Sequence, residues 1–238
     1  RLNEIRADGS SLQVTYGVLN LTHRNSHEDI ERLIPDKRYS VCVALNDIAH
    51  TFAVGSRIRV AVSNAFWPIV WPSPQPVNLS VFTGVSTINL PTRQPRKEDA
   101  EIQPLPPVKH ARTHATTMMR EAEPDHFGFS YDLSTGVQTF TNKMDTGIIR
   151  NDDHGWTTGS KTDYRYHIHP DDPNSACVDL KATEVYSREG QLDVRIEAHQ
   201  IMTSDENHFF IKADVNVFDG DKQIFSRNWK EKFKRDGV

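Results

Sequence analysis

Residues capable of chemistry are plentiful in this 238-residue sequence, but few stand at the spacings that chemistry requires. A serine nucleophile on a strand-to-helix elbow needs Gly-x-Ser-x-Gly, because only small flanking residues fit the strained turn. Gly9-Ser10-Ser11, Gly55-Ser56 and Gly159-Ser160 all lack the second glycine in the right place. A phosphate-cradling glycine loop, a dinucleotide fingerprint, a Cys-x-x-Cys pair and a His-Glu-x-x-His helix are also missing. The chain is therefore not expected to catalyse a reaction by itself, and no cofactor is implied. The 11 histidines are the remaining pointer. His167 and His169 stand two apart in a strand-like run, which would put both imidazoles on one face, with Asp171, Asp172 and His199 able to complete an N/O site for a divalent metal. The plainer reading is a strand end followed by an Asp-led turn at Pro170-Asp171-Asp172-Pro173, so these histidines are metal candidates by spacing alone and no metal is assigned.

Trp67 and Trp71 flank Pro68 in AFWPIVWPSPQP. Indoles in a loop can stack on sugar rings, but an indole also offers a large apolar area and one N–H, which suits packing against a neighbouring protein surface. The second reading is the expectation, with Trp67, Trp71, His23 and Arg24 as interface or ligand candidates. His23, Arg24, His27, Glu28 and Asp29 form a polar loop after the first strand, expected to be solvated or at an interface. The mixed-sign run Lys230 to Arg235 reads as a solvated strand edge whose lysines discourage edge pairing.

The elements that would position these residues are strands. Leu12 to Thr22 is rich in β-branched and aromatic residues, with Gly17 marking a bulge or close approach. Further strands are expected at 38–46, 57–63, 77–83 and 87–90, and only 27–33 has helical character, which Pro35 stops. Nine of the 13 prolines lie between Pro68 and Pro107, and Pro91 to Pro107 can be neither a regular helix nor a central strand. That stretch is a linker. Beyond it, 176–187, 191–203, 208–218 and 222–233 are four strand-like runs separated by turn sequences, which predicts an antiparallel meander, with 127–133, 138–143 and 161–169 adding strands to the same sheet. Leu192, Val194, Ile196, Ala198 and Met202 alternate with Asp193, Arg195, Glu197 and His199, the pattern of a sheet buried on one side. The expected fold is all-β: a jelly-roll β-sandwich over 1–92, a Pro-rich linker over 93–112 and a second antiparallel β domain over 113–238.

Composition narrows the partners. Apolar residues make up 37% and the formal net charge is -4, so the chain should fold and carries no basic field to recruit nucleic acid or anionic lipid. The best apolar runs, 41–45 and 65–71, fall far short of the roughly 20 residues a membrane-spanning helix needs. Cys42 and Cys177 are too far apart to suggest a disulfide framework, which leaves the compartment open with the cytoplasm as the expectation.

Val14-Thr15-Tyr16-Gly17-Val18-Leu19-Asn20-Leu21-Thr22-His23-Arg24, the run Tyr39 to Asn46, and Val54-Gly55-Ser56-Arg57-Ile58-Arg59-Val60-Ala61-Val62-Ser63 carry a resemblance. Over residues 1 to about 92 the sequence resembles the C-terminal jelly-roll region of the CocE/NonD serine hydrolases, which include acyl esterases and relatives of X-prolyl dipeptidyl peptidases. The segment from about Thr113, including Tyr166 to Pro173 and Met202 to Asp205, is similar to an extra C-terminal region in a subgroup of these proteins. The resemblance implies an α/β-hydrolase domain upstream in the same protein that holds the Ser-Asp-His triad, none of which matches a position here. It also implies a sequence that starts inside the jelly roll, without its first strands, and a structural role at the substrate cleft. Two other readings remain: an independent carbohydrate-binding module, because the resemblance implies a galactose-binding-like jelly roll, and a metal-dependent β-barrel enzyme resting on His167, His169 and His199. Self-association is left open.

Overall fold

A computed structural model describes residues 1–111 and 113–237, so Arg112 at the end of the expected linker and Val238 at the end of the expected second domain lie outside the described residues. The described chain is almost entirely β, with two antiparallel sheets and two short 3-10 turns at Leu21–His23 and Lys97–Ala100. No helix is long and apolar enough to cross a membrane among these residues.

The N-terminal unit holds a three-stranded sheet in the order β2-β1-β3, formed by β1 (Leu2–Ile5), β2 (Ser11–Thr15) and β3 (Arg57–Val60). Leu2 and Ile5 are buried beneath it. The regular strands are shorter than the sequence pattern predicts. β2 ends at Thr15 rather than running to Thr22, and Asn20 instead caps the first 3-10 turn by accepting a hydrogen bond from the Thr22 amide at 3.1 Å. Segments 38–46, 77–83 and 87–90 join no ladder. Backbone contacts show why 38–46 stays irregular: the Asn46 amide donates to Tyr16 O at 3.0 Å, while the Thr15 hydroxyl takes the Asn46 carbonyl at 2.9 Å in place of a strand partner. The expected close approach at Gly17 is present, since a Cβ there would strike the Ala44 carbonyl oxygen. The helical tendency at 27–33 is overridden by local polar bonds: the Ser26 hydroxyl accepts from the Glu28 and Asp29 amides, and Arg24 reaches across to Glu31.

The C-terminal half follows the pattern closely. β4 (Thr116–Arg120), β5 (His126–Tyr131), β6 (Gln138–Asn151), β7 (Thr157–His169), β8 (Asp172–Arg188), β9 (Leu192–Ser204), β10 (His208–Asp219) and β11 (Lys222–Lys234) form one eight-stranded sheet. Its order is β11-β10-β9-β8-β7-β6-β4, with β5 also pairing β6. Hence β6 is shared along its length: Gln138 to Lys143 pairs β5, and Ile148 to Asn151 pairs β4. The two halves of β6 are divided by a bulge between Asp145 and Ile148. Gly147 sits there at φ +71, where a Cβ would lie 2.5 Å from the Arg120 carbonyl oxygen, so only glycine fits the bulge. Asp145 fastens the bulge: its carboxylate takes both Arg120 Nη1 and Nη2 at 2.8 Å, plus the amides of Gly147 and Glu123. Arg120 is the main reason that the Asp145 carboxyl is held well below the usual carboxylate range.

One expectation needs correction. The alternation along β9 holds, but the apolar side of the sheet is not buried: Val194, Ile196 and Ala198 are only partly covered, and Leu192 is exposed. Alternation reports a difference between two faces; whether the apolar one is covered depends on a second layer, which a single strand cannot encode.

Candidate interdomain seam

The feature that joins the two halves is built on a proline-rich segment. Pro68, Pro72, Pro74 and Pro76 have no backbone N–H, so their stretch of chain can offer carbonyls but few donors. It docks where the sheet supplies donors. Arg235, just past β11, gives Nη2 to the Pro72 carbonyl at 2.6 Å, and Asn174, at the start of β8, gives Nδ2 to the Pro74 carbonyl at 3.0 Å. Gln75 adds a bond from Nε2 to Glu206 Oε1 at 2.7 Å.

Aromatic packing fills the space between these bonds. The Val70 amide donates to Phe66 O at 2.8 Å, and the two indoles form a T-shaped pair with centroids 5.3 Å apart; the Trp67–Pro68 peptide is cis. Trp67 then meets Tyr166 of β7 edge-on at 6.2 Å, and Trp71 meets Phe209 of β10 at 5.7 Å. Edge-to-face geometry is the favoured arrangement for such rings. The Trp71 Nε1–H donates to Ser204 Oγ at 3.0 Å, which satisfies the polar tip of the indole.

Arg235 is the hinge pin of the arrangement. It is only 5% exposed, yet its guanidinium donates to the Pro72 carbonyl, to Ser204 Oγ at 3.0 Å, to the Asp205 carbonyl at 3.1 Å and to Asn174 Oδ1 at 3.4 Å. The same group lies 4.9 Å from the centre of the Phe209 ring. Burial lowers its pKa, opposed by the Asp205 charge. Two residues further on, Gly237 returns to the N-terminal unit, where its carbonyl accepts from Asn20 Nδ2 at 2.5 Å and Thr22 Oγ1 at 2.6 Å. The chain after β11 thus holds both the Trp-Pro segment and the loop after β2.

Trp67 and Trp71 come together, their rings committed to each other and to the sheet rather than left as a sugar platform. His23 and Arg24 do not join them. Arg24 spends its donors on its own loop, giving Nη1 to Leu21 O at 3.1 Å and Glu31 O at 2.7 Å while lying over Tyr39, and His23 pairs with His27 at 3.3 Å between Nδ1 atoms. That loop is the one that receives Gly237, so Arg24 supports the seam from behind.

The three metal candidates are dispersed. His167 bonds Thr139 Oγ1 at 2.9 Å, the His169 ring accepts from the Asp171 amide at 3.2 Å, and His199 bonds Asp179 at 2.8 Å on the charged face of the sheet. The register irregularity beside them falls on β8, where Asp172 and Cys177 pair His169 and His167, and the two rings take separate partners. No group of three or more potential ligands able to hold a metal is found among the described residues. Of the serines beside glycines, Ser160 is in β7 and bonds Glu184 at 2.6 Å, while Ser10 and Ser56 are in turns of the N-terminal unit.

Sequence reasoning misses Arg235, Ser204, Asn174 and Gly237. The run ending in Arg235 reads as a solvated edge, and for its lysines it is one. Arg235 differs because it follows the last ladder pair, Lys234 with His208, and turns under Pro72. No local pattern signals that turn.

Comparison with known families matches residues 1–125 to the X-Pro dipeptidyl-peptidase C-terminal non-catalytic domain. The chain belongs to that family. The match takes in the three-stranded sheet, the Trp-Pro segment, the proline-rich stretch and β4, and ends before β5. Neither the curated proteins nor the solved structures contain a match. The chain is accordingly an accessory module of a peptidase and hydrolase family, joined through the seam to a second sheet that is mostly outside the family's domain.

Proposed function

We propose that this chain is the accessory module of a CocE/NonD-type serine hydrolase, in which an α/β-hydrolase domain of the same protein hydrolyses an ester or an X-Pro or aminoacyl amide. In this reading residues 1–92 are the β-sandwich unit that walls the substrate cleft, 93–112 are the linker and 113–238 are a second β domain. The observation that carries the proposal is the family match across residues 1–125. The seam gives it a physical role: by fixing the Trp-Pro segment on a stiff sheet, it would hold the cleft wall in one position, and such positioning is what a non-catalytic domain can contribute to rate.

The test compares the natural full-length protein with this chain on p-nitrophenyl esters and X-Pro p-nitroanilides. The full-length protein should turn over one of these substrates while the chain alone is inert. Trp71→Ala in the full-length protein should raise KM more than it lowers kcat, since it loosens a wall and touches no reacting atom. Turnover by the chain alone, or a full-length protein inert on both substrate classes, would refute the proposal.

A further inference from the structure

The two faces of the eight-stranded sheet differ sharply. Register places Phe129, Phe140, Tyr166, Val178, Met202 and Ile211 in one row across β5 to β10, and Phe127, Leu180, Ala213 and Trp229 along the next. The opposite face is ionic and internally paired, with Asp163 between Lys143 and Arg165 and with His199 against Asp179. The first is a face made for burial; the second is made for water. Yet Trp67 and Trp71 cover the apolar face only at its Ser204 end, and Phe127 and Phe129 remain 62% and 66% exposed.

We infer that this apolar face is the interface between two copies of the chain, packed sheet on sheet about a two-fold axis. Area is the first argument. Six strands from β6 to β11 at about 4.8 Å spacing, each at least about 12 residues long at about 3.3 Å per residue, give a face of roughly 1,100 Å². Two such faces bury roughly 2,200 Å², the size of an obligate homodimer interface.

Chemistry is the second argument. Contacts between domains of one chain are smaller and more polar, while homodimer interfaces are more apolar and poor in charge. This face has few charges: Glu231 ends the first row, Arg227 lies over the Trp229 ring, and Glu184 is already bonded to Ser160 and Tyr186. A second copy presents a face of the same extent and twist, which suits the aligned packing of two sheets at about -30°. Pairing through the open edge of β11 is disfavoured by its lysines, Lys230, Lys232 and Lys234, with Lys230 directly opposite Lys212.

The test is light scattering on the natural full-length protein over a dilution series. Two copies per particle are expected. Phe129→Asp with Phe225→Asp should weaken the association at least about 100-fold, as loss of two aromatic anchors does. Both side chains are exposed in the single chain, so the charges should not oppose its folding. Lys212→Glu on the ionic face should leave two copies in place. Should the first pair fail to fold, Phe127→Lys with Phe233→Lys decides in its place. A single copy at every concentration overturns the inference, as does a two-copy particle that survives the face variants. Neither result bears on hydrolysis by the full-length protein, so the accessory-module proposal fails or stands separately.

Discussion

Replacing Arg235 by Met tests the seam most directly. The substitution keeps an apolar stem over Phe209 but removes every donor, so the Pro72 carbonyl, Ser204 Oγ and the Asp205 carbonyl each lose a bond of 3.1 Å or shorter. Bonds from a charged donor contribute about 1.5–3 kcal/mol each, but three that share one group do not add. The desolvated charge also goes, and that recovers part of the loss. A net destabilisation of about 3 kcal/mol follows. With a urea slope of about 2 kcal/mol/M, the midpoint should fall by about 1.5 M. With Trp156 and Trp229 replaced by Phe in both parent and variant, tryptophan fluorescence reports the seam through Trp67 and Trp71, while far-UV circular dichroism reports the long strands. The fluorescence transition should move to lower urea ahead of the dichroism, because Arg235 pins the junction and contributes little to the ladders of β6 to β10. Lys234→Met, one residue earlier and exposed, should move neither by more than about 0.5 kcal/mol equivalent. A midpoint for Arg235→Met within 0.3 M of the parent would refute the claim that the guanidinium holds the seam.

Other outcomes follow from single contacts. Trp71→Phe keeps a ring against Phe209 but removes the Nε1–H bond to Ser204, and should cost about 1 kcal/mol by thermal unfolding against about 3–5 kcal/mol for Trp71→Ala. Gly17→Ala would drive a Cβ into the Ala44 carbonyl and should lower the Tm of the chain, whereas Gly84→Ala, with nothing within 4 Å, should leave it unchanged. The carboxyl of Asp145 is depressed in the folded state by Arg120, so its stabilising contribution is complete above the unfolded value of about 3.9 and fades as pH falls through that value toward the lower folded one. The parent should therefore lose stability between about pH 5 and pH 2 more steeply than Asp145→Asn, which lacks that titration. Equal slopes in urea titrations across that range would show that the Arg120 pair does not stabilise the fold.

Much of the C-terminal half is legible in the sequence because its information is local. Period-two alternation in 192–203, together with the turns at 188–190, 204–207 and 219–221, encodes strand, face and reversal within a few residues, and a meander pairs neighbours in sequence. Proline likewise marks 91–107 as irregular without help from any partner, since a missing N–H is a property of the residue itself. In the N-terminal half, the β-branched character of 38–46 and 77–83 is equally visible, but ladders there require partners distant in the chain, and polar side chains such as Thr15 and Asn20 take backbone bonds that a strand would need. The tryptophans announced an interface by their size and single N–H. Their receiving surface did not announce itself, because Ser204, Asn174 and Arg235 are ordinary turn and strand-end residues until folding brings them from 100 to 163 positions away in the chain. Along the C-terminal meander, local composition determined where the long strands form and which side of each is apolar. Only the tertiary structure decided which apolar surface is covered, since burial belongs to pairs of surfaces and the chain alone specifies one of each pair.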